Sequence, residues 1–130
     1  MNLVVDGNKH TLFYDTYALY AIARGEQNYF SYASGHRIIT TMMNLYELYY
    51  ILHKEGQPEL AEAFFNRLLS ACVEILPEDI KKASHLRMLY SKKKWSYIDV
   101  LGYAIAGNRG VRFLTGDKRF ENVQGVLCVK

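Results

Sequence analysis

Residues 96–117, SYIDVLGYAIAGNRGVRFLTGD, decide the fold. Ser96 followed three residues later by Asp99 has the form of a capping box. The segment Tyr97 to Asn108 therefore reads as a helix, stopped by Gly107 and Gly110. Val111 to Thr115 reads as a strand, and Gly116-Asp117 as the turn that follows it. From Asp99 to Arg109 the helix runs about 15 Å at about 1.5 Å per residue. The strand returns about 13–15 Å at about 3.3 Å per residue. The two lengths match, so Asp99 and Asp117 are predicted to finish side by side.

Outward from this unit, helices and strands alternate. Residues 2–5 carry the apolar run Leu3-Val4-Val5, Asp6-Gly7 is a turn signal and Thr11 to Tyr14 is strand-like, which suggests a short hairpin or an extra edge strand. Residues 16–24 and 26–34 look helical, broken at Gly25 and stopped at Gly35. Arg37 to Thr40 is a β-branched run, and Met42 to Lys54 is helical up to a stop at Gly56. Pro58 opens a helix whose apolar face repeats through Leu60, Phe64 and Leu68 and through Ala61, Phe65 and Leu69. Val73 to Leu76 is a brief strand, Pro77 to Tyr90 a helix, Ser91 to Trp95 a basic loop, and Val126 to Val129 a last strand. This alternation predicts an α/β fold with a parallel sheet and helices on both faces, in one domain over residues 1–130.

Composition narrows the classes. The chain has 130 residues, half apolar and 22% charged, with two prolines and nine glycines, which excludes collagen-like and low-complexity chains. No run of 18 uncharged apolar residues exists, so no membrane helix is predicted. Asp6 and Lys9 interrupt the N-terminus where an ordinary signal peptide has a basic and then an apolar run. Cys72 and Cys128 fit no zinc or redox spacing and read as two buried thiols. A reducing, cytoplasmic location is the expectation. His10, His36, His53 and His85 show no metal-ligand spacing. The net charge of +3 divides unevenly: residues 1–60 carry −2 and residues 61–130 carry +5. A basic half permits a polyanionic partner without requiring one.

Four carboxylates sit at the ends of apolar elements or inside them. Asp15 ends Thr11-Leu12-Phe13-Tyr14, where it could also cap the next helix. Glu47 lies in a helix apolar nearly all round, which implies either a costly buried charge or a tilted helix with one exposed edge. Asp99 fits the capping box and Asp117 a turn. Ligands of open parallel sheets bind beyond the carboxyl ends of the strands, where Asp15 and Asp117 fall. Converging carboxylates repel one another unless a cation lies between them, and an all-oxygen set favours Mg²⁺ or Mn²⁺.

Phe13-Tyr14-Asp15-Thr16, Asn44-Leu45-Tyr46-Glu47-Leu48, Ser96-Tyr97-Ile98-Asp99-Val100 and Leu114-Thr115-Gly116-Asp117-Lys118-Arg119-Phe120 occur in that order. In this the chain resembles the PIN-domain nucleases, particularly the compact VapC-like toxin ribonucleases, from about residue 11 to 129. The resemblance implies a three-layer α/β/α sandwich around a mainly parallel sheet. It also implies an acidic pocket of Asp15, Glu47, Asp99 and Asp117 that holds one or two Mg²⁺ or Mn²⁺ ions and cuts RNA. Thr115 matches a hydroxyl position that orders such pockets, and Thr16 is a second hydroxyl beside Asp15. Two positions depart from the family pattern. Tyr17 stands where members often have Asn or Ser, and Arg119 where many carry a further aspartate, which removes one candidate ligand.

The leading expectation is metal-dependent hydrolysis of RNA. Asp15, Asp99 and Asp117 would be ligands, and Glu47 either a ligand or the group that orients water. Lys92, Lys93 and Lys94 could pair with phosphates and Trp95 could stack on an unpaired base; the other reading is a solvated loop with Trp95 in the core. A PIN-like binding or scaffold module without catalysis is the alternative. An aspartyl-phosphate phosphatase would want Asp-x-Asp at the first strand, and Asp15-Thr16-Tyr17 lacks it. Eleven tyrosines and the family resemblance point to a homodimer and to a small antitoxin protein over the acidic groove.

Overall fold

A computed structural model of the chain describes residues 10–130. Among the described residues, four short strands form one sheet: β1 (Thr11–Tyr14), β2 (Arg37–Ile39), β3 (Arg112–Thr115) and β4 (Val126–Cys128). Their order is β2-β1-β3-β4, and every pair is parallel. Phe13 lies opposite Ile39 on one side and Phe113 on the other. The chain leaves β1 toward β2, then crosses back to β3. The order therefore reverses between β1 and β3, and the crevice beyond their carboxyl ends is where such sheets place ligands. The residue 2–5 strand and its Asp6-Gly7 turn lie outside the described residues.

Among the described residues, six α-helices cover the sheet: α1 (Thr16–Ala23), α2 (Phe30–Ala33), α3 (Met42–Lys54), α4 (Pro58–Leu68), α5 (Pro77–Leu89) and α6 (Tyr97–Arg109). Side chains alternate across a strand, and the core divides accordingly. Leu12, Tyr14 and Leu114 join Leu19, Leu45, Leu48 and Ala61 from α1, α3 and α4. Phe13 and Phe113 point the other way and join Ala83 of α5 and Val100, Ala104 and Ile105 of α6. The result is the three-layer sandwich that the sequence predicts.

Several local expectations need correction. Val73 to Leu76 forms no strand; pairing is limited to an isolated bridge between Thr40 and Cys72. The backbone groups beyond it are taken elsewhere. Glu74 carbonyl accepts from Arg109, and the Leu76 N–H donates to the Asp79 carboxylate, which caps α5. Residues 26–34 make a 3₁₀ turn (Gln27–Tyr29) and then the single-turn α2. Leu69 is exposed because α4 ends at Leu68 and the chain tightens into a 3₁₀ turn there. Cys72 and Cys128 are free but only half-buried, one on the isolated bridge and the other on edge strand β4. Helix α3 buries Leu45, Leu48 and Leu52 and exposes an edge with Met42, Tyr46 and Tyr50.

Helix α6 lies close against the sheet. A Cβ added at Gly102 would stand 2.7 Å from Phe13 Cε1 and 3.1 Å from Phe113 Cε1. Those rings are fully buried and stacked, with centroids 5.7 Å apart. Alanine gains about 1 kcal/mol of helix propensity over glycine, but overpacking a rigid core costs about 1–3 kcal/mol. Gly102→Ala is therefore expected to lower the melting temperature, measured by circular dichroism. An unchanged or higher value would mean that α6 can slide outward freely.

Candidate active site

The carboxyl ends of β1 and β3 run directly into the site. Asp15 follows β1, and its backbone N–H donates to Leu114 carbonyl of β3 at 3.2 Å. Its side chain is 3% exposed and caps α1 by accepting from the Ala18 N–H at 2.9 Å. Asp117 follows β3, caps a 3₁₀ turn over Lys118–Phe120, and gives its own N–H to Thr115 Oγ1 at 3.1 Å. Asp99 and Ser96 form a reciprocal capping box at the start of α6. The capping roles open in the sequence are thus real. They also orient three carboxylates toward one end of the sheet, because helix starts and strand ends meet there.

Glu47 projects from α3 into the same region. Its Oε1 accepts from Thr16 Oγ1 at 2.6 Å, and Thr16 Oγ1 in turn accepts from Asn44 Nδ2 at 3.1 Å. Thr41 Oγ1 donates to Asn44 Oδ1 at 2.7 Å. A partly buried chain Thr41–Asn44–Thr16 therefore ends on Glu47. Asn44 went unassigned in the sequence. The signal available was a polar residue three positions before Glu47, which is one helix face.

Electrostatics ties the four acids together. Burial, first of all, lifts the Asp15 carboxyl to about 7. Hydrogen bonds from Thr115 and Ala18 oppose that rise, while the charges of Asp99 and Asp117 add to it. Burial likewise raises Glu47, against its Thr16 bond and with help from Asp99. Asp117 goes the other way: burial works to raise it, but the bonds and charge of Arg119 prevail and lower it. Asp15 thus senses Asp99 and Asp117, and Glu47 senses Asp99, as neighbours in a shared region do.

Arg119 is the residue sequence reasoning missed as a participant. Its Nε reaches both Asp117 oxygens at 3.1 Å and its Nη2 reaches Asp117 Oδ2 at 2.5 Å and Asp99 Oδ2 at 3.3 Å. Sequence showed only a missing carboxylate there. Tyr17, the other departure, lies over Gly116, where an added Cβ would stand 2.1 Å from its Cε1 and 2.6 Å from Val129 carbonyl.

The donor chemistry of four carboxylates and two threonine hydroxyls suits a hard cation such as Mg²⁺ or Mn²⁺. The buried Asp15, pushed toward neutrality beside two further acids, is the feature such a charge would relieve. In the arrangement described, no three His, Cys, Asp or Glu side chains among the described residues already close on one point. Arg119 engages Asp99 and Asp117, and Thr16 engages Glu47.

The basic loop lies against this site. Ser91–Lys93 is a 3₁₀ turn, and Lys94 takes a left-handed conformation with φ 59°. Lys92 and Lys94 are exposed and Lys93 is half-buried. Trp95 does not stack on an external base. It is 2% exposed and stacks on Phe120 at 4.3 Å, with its Nε1–H donating to Arg119 carbonyl at 3.2 Å. Its large apolar surface is worth more in the core than in water, so the solvated-loop reading holds for that residue. A cavity of about 550 Å³ opens between α5 and α6 and includes Arg87, Met88 and Tyr97; none of the four acids lines it.

Comparison with known proteins agrees with this geometry. The PIN domain family matches residues 12–126, and the chain belongs to that family. No curated protein matches it significantly by sequence. Among solved structures it is similar to VapC20 of Mycobacterium tuberculosis, a sarcin-ricin loop cleaving toxin, with TM-score 0.75 and 16% identity over 92% of this chain and 99% of that one. It is similar to a toxin-antitoxin complex from Klebsiella pneumoniae, with TM-score 0.70 and 18% identity over 89% and 95%. It is also similar to VapBC2 of Rickettsia felis bound to a promoter DNA fragment, with TM-score 0.68 and 18% identity over 91% and 96%. No helix among the described residues is long and apolar enough to cross a membrane.

Asp15 makes a pH prediction whose sign is fixed by its raised value. The unfolded chain loses this proton near pH 3.8 and the folded chain near about 7. Between those values the folded state holds the extra proton, so the group opposes folding increasingly as pH rises and by a constant amount above about 7. Asp15→Asn keeps a competent helix cap and removes the charge. In EDTA it is expected to stabilise the protein at pH 8, by up to roughly 4 kcal/mol, and to change little at pH 4. Urea denaturation at both pH values measures this; equal effects at both would mean that Asp15 is not buried as a charge.

Proposed function

We propose that the chain is a metal-dependent endoribonuclease that hydrolyses RNA phosphodiester bonds at Asp15, Glu47, Asp99 and Asp117, and that it is the toxin of a toxin-antitoxin pair. The observation that carries this reading is Asp15. A carboxyl buried at the reversal point of the sheet, with Asp99 and Asp117 adding to its burden, is destabilising unless a function requires it. When bound, Mg²⁺ or Mn²⁺ supplies Lewis-acid polarisation of a phosphoryl oxygen and acidifies water.

The chain's own residues divide the remaining work. Asp15, Asp99 and Asp117 would hold the ion, and Thr115 orients both Asp15 and Asp117. Glu47, fixed by Thr16 and raised by burial, is suited to ligate the ion or to orient water and accept its proton. Lys92, Lys93 and Lys94 border the site through the Lys94 carbonyl, which accepts from Arg119 Nη1 at 2.5 Å, and their ammonium groups can meet RNA phosphates. Exposed Met42, Tyr46 and Tyr50 on α3, beside Glu47, are apolar surface that a second copy or an antitoxin would cover. A binding module without catalysis is the second reading, favoured by the Arg119 guanidinium across Asp99 and Asp117.

Cleavage of a mixed RNA pool separates the two. Turnover is expected with Mn²⁺, should stop in EDTA, and should fall at least about 100-fold in Asp99→Asn. Undiminished cleavage in EDTA, from a preparation free of other nucleases, would sink the metal mechanism. Metal-dependent cleavage retained by Asp99→Asn would remove Asp99 from the site. For the basic loop, alanine at Lys92, Lys93 and Lys94 together should weaken RNA binding and flatten its salt dependence by roughly 0.7 per lost phosphate contact. An unchanged slope of log K against log salt would leave the loop merely solvated.

A further inference from the structure

Arg119 is built into the acidic site from three directions. Its fork holds both oxygens of Asp117 and reaches Oδ2 of Asp99. Its backbone N–H donates to Asp117 Oδ1 at 2.9 Å. Its Nη1 is anchored at 2.5 Å on Lys94 carbonyl, and its own carbonyl is held by buried Trp95. Lys94 presents that carbonyl from a left-handed conformation, φ 59°, which few non-glycine residues adopt. The main chain of Arg119 is therefore pinned, while its side chain remains 45% exposed on the solvent side.

We infer that Arg119 is a tethered counter-cation that competes with a divalent ion for the Asp99 and Asp117 carboxylates and so sets the ion affinity of the site. The inference rests on the proposed reading of the four acids as a metal site. A guanidinium keeps its charge at every accessible pH, so it cannot give way by losing a proton. Its charge opposes the approach of a dication, and its hydrogen bonds occupy lone pairs that an ion needs. Entry of the ion requires the fork to swing off the carboxylates, and its half-exposed position leaves it room to do so. The competing role, in which Arg119 merely orients Asp117 for the ion, forecasts the opposite: removing Arg119 would then weaken ion binding.

Direct Mn²⁺ titration by calorimetry, on the full chain without RNA, distinguishes these roles. Arg119→Gln keeps much of the length and removes the charge; it is expected to bind Mn²⁺ about tenfold more tightly than the wild type at low salt. Arg119→Lys keeps a charge but loses the fork, and should fall between them. Far-ultraviolet circular dichroism and Trp95 fluorescence report whether each variant folds. Should Arg119→Gln fail to fold, tighter binding by Arg119→Lys supports the inference, and equal or weaker binding overturns it. Equal or weaker binding by folded Arg119→Gln overturns the competition and leaves the metal site standing. No Mn²⁺ binding by wild type or variants up to millimolar concentration overturns both.

Discussion

A carboxylate buried between two parallel strands is the constraint on which the rest of the structure depends. Asp15 stands where β1 ends, linked through its N–H to β3 and through its side chain to the start of α1. Moving it would break the strand pairing and the helix cap together. Leaving it in place forces the neighbourhood to manage its charge. Thr115 and the Ala18 N–H offset part of the burial penalty, and Asp99 and Asp117 add to it. The burial of Asp15 is thus an electrostatic cost that its own hydrogen bonds only partly offset.

The two-sided core is what makes that position possible. Phe13 and Phe113 lock the sheet to α6 through the glycine at 102, while Leu12, Tyr14 and Leu114 lock it to α1 and α3. Helices fixed this way deliver Asp99 and Glu47 to the strand ends from opposite layers. Trp95 extends the α6-side core up to the site, since it stacks on Phe120 and holds Arg119 carbonyl. Packing and acid geometry are thus coupled through a single aromatic side chain. The basic loop before it belongs to the same assembly, because the Lys94 carbonyl anchors the guanidinium.

Arg119 gives the site its particular balance. The arginine lowers Asp117 while Asp15 and Glu47 are raised. Neighbouring carboxylates with pKa values pushed apart can serve different roles in one reaction. The guanidinium also stands between Asp99 and Asp117, within hydrogen-bond reach of both.

Much of this was legible in the chain itself. The helix and strand between Ser96 and Asp117 follow from capping residues, glycine stops and a β-branched, aromatic run, all local signals. Matching rise lengths were enough to bring Asp99 beside Asp117, and both now share Arg119. Local chemistry also misled in places. Val73 to Leu76 has strand-like residues, yet Arg109, 35 residues away, takes the Glu74 carbonyl, and the Leu76 N–H goes to the Asp79 cap of α5. Trp95 beside three lysines suits a base-stacking surface until Phe120 arrives from 25 residues away to cover it. Sequence by itself determined most of the order of elements and the alternating faces, because these depend on neighbours within a few residues. Only the tertiary structure decided that Arg119 bridges Asp99 and Asp117, that Asn44 and Thr16 steady Glu47, and that Trp95 is core, because each depends on partners that folding alone brings within hydrogen-bond or van der Waals reach.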